Sequence, residues 1–175
     1  MKNTYKTISV VGLFILFALA LYILYTKENT KTAFVKNTDL YNEFSLKKEL
    51  EAKLLTVKNQ RKTILDSLLL QLKLSSTELE NSKDEKEIRK FQLKKQAYLT
   101  KQKEFDEDSQ RLAEQYSQQI WKQLNQFVND YGKEYGYSFI HGATGDGALM
   151  YAQDKYDITK ELIEYTNQKY KGEKK

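Results

Sequence analysis

The chain has 175 residues, a formal net charge of +5 and neither cysteine nor proline. Without cysteine there are no disulfides, thiolate metal sites, cysteine nucleophiles or lipidated cysteine anchors. The positive excess is modest, and without a local pattern it points to neither nucleic acid nor a lipid surface.

Lys2 and Lys6 precede Ile8–Tyr25, an uncharged run of 18 residues. At helical rise it covers about 27 Å, just enough for a hydrocarbon core of roughly 30 Å. Leu13, Phe14, Leu16, Phe17 and Leu21 are its lipid-facing candidates, and Tyr22 and Tyr25 fall where an interfacial aromatic belt lies. Two readings compete. One is a cleaved signal peptide with Ala18-Leu19-Ala20 as the small-residue site. The other is an uncleaved signal-anchor, favoured because the apolar run continues through Leu21, Ile23 and Leu24. The short basic tail places the N-terminus inside and residues 28–175 outside.

Thr32-Ala33-Phe34-Val35 is β-branched and aromatic and predicts a strand. Asn37, Thr38 and Asp39 then offer helix caps, and Leu40, Tyr41 and Phe44 form a first apolar face. From Leu13 to Tyr131 there is no glycine, so very long helices are permitted. Two apolar rows predict a hairpin of long helices. Positions 50, 54, 57, 61, 64, 68, 71 and 75 carry Leu, Leu, Val, Arg, Ile, Leu, Gln and Ser. Positions 88, 91, 95, 98, 102, 105, 109, 112 and 116 carry Ile, Phe, Lys, Tyr, Gln, Phe, Ser, Leu and Tyr. This is a coiled-coil period with polar defects. The turn is expected at Asn81-Ser82-Lys83-Asp84, with Ser75-Ser76-Thr77 as an alternative bend. At the base, Ile120, Trp121, Leu124, Phe127, Val128 and Tyr131 give a broader stripe, suited to burial against a body or other copies.

Gly132 and Gly136 are candidate helix ends. Tyr137–Ile140 and Ala148–Ala152 read as strands joined by a glycine loop, giving a small antiparallel sheet with Thr32–Val35. Asp157 caps a closing helix whose buried face is Ile158, Leu162, Ile163, Tyr165 and Thr166. The fold class is thus α+β, mostly α: a long antiparallel helical hairpin on a small antiparallel β body. The chain divides into a signal or anchor segment (1–27), the first strand and helix start of the body (28–44), the arms (45–131) and a β-hairpin with closing helix (132–175). So small a body is expected to complete itself by oligomerising. Phe34, Val35, Phe127, Phe139, Ile140, Leu149 and Tyr151 are the candidates for the body and its contacts between copies.

The glycine loop lacks the lysine and the spacing of a phosphate-binding loop. His141 is the single histidine of the chain, so a histidine-cluster metal site has no members, and the residue reads as part of the sheet. No enzyme, cofactor or metal is expected. Lys86 to Lys103 holds seven basic residues and one acidic, Glu87. This is either a solvated face or a basic surface for acidic clients or lipid headgroups. An exported chain disfavours nucleic acid.

Two segments carry a resemblance. Lys31-Thr32-Ala33-Phe34-Val35, Asp39 and Tyr41-Asn42-Glu43-Phe44 open the exported part. Tyr135-Gly136-Tyr137-Ser138-Phe139-Ile140, Ala148-Leu149-Met150-Tyr151-Ala152 and Tyr156-Asp157-Ile158-Thr159 close it. Together with the hairpin between them and the export signal, they resemble the Skp/OmpH family of periplasmic chaperones over about residues 31–170. The resemblance implies a homotrimer with a β body and three helical tentacles around a cavity. It also implies ATP-independent holding of unfolded outer-membrane or exported proteins in the periplasm. A retained anchor departs from the family's cleaved signal and would hold the body at the inner membrane. Phe91, Tyr98, Phe105, Lys94, Lys95 and Lys101 are the candidate client contacts, although the three aromatics also suit the partner arm. The competing function is a membrane-anchored coiled-coil adaptor of the envelope, which would bind one partner at the hairpin tip.

Overall fold

The computed structural model describes residues 17–18, 30–81 and 84–173. Strand β1 (Thr32–Lys36) runs into a short helix α1 (Asn37–Glu43), and two long helices follow, α2 (Ser45–Asn81) and α3 (Glu85–Tyr135). Strand β2 (Phe139–Ala143), a 3-10 turn (Asp154–Tyr156) and helix α4 (Thr159–Glu173) close the body. The expected long helical hairpin on a small strand body is the architecture observed. The proposed anchor, 8–25, lies outside the described residues except for Phe17 and Ala18. Among the described residues no helix is long and apolar enough to cross a membrane.

The hairpin turns where the sequence predicts. Helix α2 stops at Asn81 and passes unbroken through Ser75-Ser76-Thr77. Asp84 then caps α3, its carboxylate accepting from the Lys86 amide at 3.2 Å. At the other end α3 runs through Gly132 and stops at Gly136, which is left-handed at φ 69°. At 51 residues α3 is about 76 Å long.

The sheet departs from expectation. It is parallel, and among the described residues it has two strands, paired from Thr32↔Phe139 to Lys36↔Ala143. A parallel pair needs a long crossover, and here the whole helical hairpin is that crossover. The chain re-enters the body at the end where β1 begins: the Ser138 amide donates to the Lys31 carbonyl at 2.8 Å. The expected returning strand, Ala148–Ala152, does not form. Instead the Asp146 carboxylate accepts from the Thr144 hydroxyl and, at 3.1 Å, from the Ala148 amide. Gly145 and Gly147 take the positive φ values of 80° and 98°. These local bonds fold the loop onto itself, in competition with a ladder. The far edge of β1 is occupied by Asp157–Thr159: the Ile158 amide donates to the Phe34 carbonyl at 3.0 Å, and the Lys36 amide to Thr159 Oγ1 at 3.0 Å.

Helix α1 also starts differently. Lys36 stands at its N-cap without a side-chain cap bond. The amide of Asn37, an expected cap, is instead turned to Gly142, where a Cβ would fall 2.5 Å from Asn37 Nδ2. That contact explains a glycine within β2.

One core joins β1 and the four helices, with Ile140 of β2 packed against it. Val35 of β1, Leu40 of α1, Phe44, Leu50 of α2, Leu124 and Phe127 of α3, and Leu162 of α4 are all buried in it. Burying each such side chain stabilises the fold by about 1.5–3 kcal/mol. Trp121 stacks on Tyr41 at 5.0 Å, the packing role its place in the base stripe predicts. Burial pushes the Tyr131 phenol up to about 12. Ile158, just before α4, and Leu162, Tyr165 and Thr166 within it are buried, four of the five expected positions, and Ile163 is partly covered.

Asp157 ties β1 to α4. Its carboxylate accepts from the Thr159 hydroxyl and, at 2.9 Å, the Thr159 amide, and it pairs with Lys36 at 3.0 Å. Burial raises its pKa, but Thr159 and Lys36 together outweigh burial and hold it below the ordinary value of 3.8. A carboxylate with a lower pKa folded than unfolded adds stability above its unfolded pKa, and that stability is lost as pH falls through the folded value. Asp157→Asn should therefore lower stability at pH 7 and flatten the wild-type loss below about pH 4. Urea unfolding of both proteins across that range checks it, and parallel pH profiles would refute it.

Candidate functional site

The arms are the extended feature of the molecule, and their seam decides which side chains remain outside it. The predicted heptad row holds on α2 as far as Arg61 and then slips by one residue. Ile64 is 46% exposed, and Gln71 is exposed too. Leu65 and Leu72 take their places, so the covered row reads 54, 57, 61, 65, 68, 72 and 75. A strict seven-residue repeat drifts about 20° per heptad around a straight helix, and an eleven-residue spacing absorbs the drift. On α3 the expected Phe91, Tyr98, Phe105, Ser109, Leu112 and Tyr116 are partly covered, while Ile88, Lys95 and Gln102 are exposed.

The polar defects that stay within the seam, Arg61, Ser75 and Ser109, all bond across it. Arg61 of α2 donates to Ser109 Oγ at 2.7 Å and to the Phe105 carbonyl at 3.2 Å. Its guanidinium lies 3.6 Å from the Asp108 carboxylate and 5.4 Å from the centroid of the Phe105 ring. Nearer the tip, Lys94 of α3 donates to the hydroxyl of Ser75, which is 5% exposed. Three cross-arm hydrogen bonds, two from Arg61 and one from Lys94, thus set one register along a seam that apolar packing alone specifies weakly. Beside Arg61 an open cleft of about 620 Å³ lies between the arms, lined by Lys58, Lys62, Tyr98, Phe105 and Asp106 among others.

This geometry redistributes the candidate client contacts. Phe91, Tyr98 and Phe105 are partly covered within the seam. Lys94 is engaged with Ser75. Lys101 pairs with Glu104 at 2.8 Å and sits 5.2 Å from the Phe105 centroid. Lys95 stands exposed. The most exposed large apolar side chains of the arms are others: Leu93 at 66%, Leu70 at 59%, and Leu55 and Leu74 at 58%. Sequence reasoning passed over them because it followed the apolar row. The available sign was apolar residues out of phase with that row, such as Leu70 and Leu74, one turn apart.

The body candidates divide as well. Val35 and Phe127 lie in the core, and Phe34 is buried on the opposite face of β1 from Val35. Ile140 and Leu149 are partly covered. Phe139 and Tyr151 are 59% and 80% exposed, and Met150 stands beside Tyr151. His141 lies in β2, as expected, with its ring 6.1 Å from that of Phe139.

A strand body carrying one long helical hairpin, with apolar side chains left outside the seam, defines a tentacle-bearing class of protein. The sequence matches the family described as outer membrane protein (OmpH-like) over residues 31–165. This chain belongs to that family. A solved structure of a candidate OmpH-like outer membrane chaperone from Caulobacter crescentus CB15 is similar in fold. Its TM-score is 0.64 at 17% identity, over 79% of this chain and 84% of that one. Among curated proteins none matches.

Replacing Arg61 by alanine removes both seam bonds and should cost about 1–3 kcal/mol of local stability. Amide exchange should speed up around residues 57–66 and 105–112 while the body core stays protected. Unchanged exchange in the arms would show that the Arg61–Ser109 bond does not hold them together.

Proposed function

We propose that this chain is an ATP-independent holdase for unfolded outer-membrane or exported proteins. The observation that carries the reading is the set of apolar side chains on the outside of the arms, among them Leu55, Leu70, Leu74 and Leu93, on helices rich in lysine. Such a surface contacts many unfolded chains weakly and is shaped for no single ligand. The contacts with clients are these leucines with Lys95, joined by Phe91, Tyr98 and Phe105 where the arms part. Lys94 and Lys101 contribute charge from the same stretch. No catalytic step belongs to this reading.

The working form is a homotrimer in the periplasm, gathered through the body. Among the described residues the outer edge of β2 has no strand partner, and Phe139, Met150 and Tyr151 are exposed in the body. An unpaired edge strand with apolar neighbours is a template for joining further chains. Residues 8–25 hold the assembly to the inner membrane if they are retained after export. The apolar run and the length of the hairpin also favour a second reading, an envelope adaptor that grips one partner at the hairpin tip.

The full-length protein in nanodiscs should suppress aggregation of a urea-unfolded β-barrel protein without nucleotide. A variant with Leu70, Leu74 and Leu93 changed to serine should lose most of that effect while keeping its fold. No suppression at several-fold excess refutes the holdase reading, and one stoichiometric partner at the tip establishes the adaptor. Native mass measurement should find three copies. A monomer would overturn the oligomeric part alone.

A further inference from the structure

Helices α1 and α2 are not one helix. Phe44 between them is extended, at φ −71° and ψ 128°. A break of this kind orphans the first amides of one helix and the last carbonyls of the other. A single side chain closes both sides of it. Asn167, on α4, accepts from the Ser45 amide at 2.7 Å and donates to the Glu43 carbonyl at 3.1 Å. One turn further along α4, the Tyr170 hydroxyl donates to Glu49 at 2.8 Å, and its ring meets that of Phe44 at 5.5 Å. The second arm is built otherwise, since α3 runs from the tip into the core as one helix. One arm is therefore a continuous strut, and the other is joined to α1 through a single extended residue, with Leu46 and Leu50 of its first turns set in the core beyond it.

We propose that Phe44 is a hinge at the root of the first arm and that Asn167 is its pin. Asn167 is then a positioning residue, setting the angle at which α2 leaves the body. The consequence, that it governs how widely the arms open around a client, rests on the chaperone reading. The chemistry explains what the amide does. The break presents one donor and one acceptor, and a carboxamide satisfies both. A carboxylate keeps the bond to the Ser45 amide, where the helix N-terminus favours negative charge. Alanine keeps neither bond. The Phe44 ring is fully buried and edge-on to Phe127, 6.2 Å away. It stays fixed while the backbone on either side turns.

The chain has no cysteine, so a pair of spin labels can be placed cleanly. Leu55→Cys on α2 and Lys160→Cys on α4 are both exposed, and they report the arm angle in the full-length protein without client. Asn167→Ala should broaden the distance distribution by roughly twofold, as local opening replaces a fixed angle. Asn167→Ser, polar but too short for both bonds, should do the same and serves if the alanine variant fails to fold. Asn167→Asp should remain close to the wild-type width. Unchanged widths in the alanine and serine variants, with or without a lowered melting temperature, would overturn the hinge. So would an aspartate variant as broad as alanine. With no client in the sample, such a result leaves the holdase reading intact. Failure of aggregation suppression by the wild type would remove that reading and leave the hinge.

Discussion

Phe44, Leu124, Phe127 and Leu162, each no more than 1% exposed, meet in one core at the root of the arms, and the rest of the molecule depends on that contact. Two long helices joined at a tip share a single narrow stripe, too little buried area to hold them in place. At the root the same helices gain a third and a fourth neighbour in α1 and α4, and a strand beneath them. The stripe there widens, since Trp121 and Val128 pack on the core beside the buried Ile120, Leu124, Phe127 and Tyr131. Stability is thus concentrated at one end of a long object, and order must decline along the arms.

The seam beyond the root trades packing for register. Arg61 against Ser109 and Lys94 against Ser75 each place a polar group where a coiled coil would carry an apolar one. A partly buried polar pair adds less net stability than packed leucines, but it is satisfied in one alignment only. The arms are therefore aligned without being tightly zipped. Leucines such as Leu70, Leu74 and Leu93 stand outside this seam, while Arg61 and Lys94 bond across it.

The parallel sheet follows from the same economy of elements. The strand pair closes only after the entire hairpin has been made, so the body depends on the arms being connected, and β1 is covered on both edges from distant parts of the chain. Asp157 and Thr159 complete one edge through side-chain bonds and a salt bridge to Lys36. The other edge is β2, whose own outer side has no strand partner among the described residues. A fold shared at 17% identity with a bacterial neighbour tolerates such sequence change because its long elements demand periodicity and few particular residues.

The order of residues alone determined whatever depends on neighbours a few positions apart. The turn at Asn81–Asp84, the left-handed stop at Gly136, the base stripe from Ile120 to Tyr131 and the buried face of α4 are all written in local spacing, because capping, glycine conformation and helical phase are short-range properties. Most of the seam was legible for the same reason, up to the slip after Arg61. Tertiary structure decided what depends on partners far along the chain. Ala148–Ala152 has the composition of a strand, but its place beside β1 goes to Asp157, which α4 brings in. Arg61 and Ser109 look like flaws when each helix is read singly and become a bond once the helices align. Asn167 is an ordinary surface residue in the sequence; only the packing of α4 across the root brings its amide to the break at Phe44.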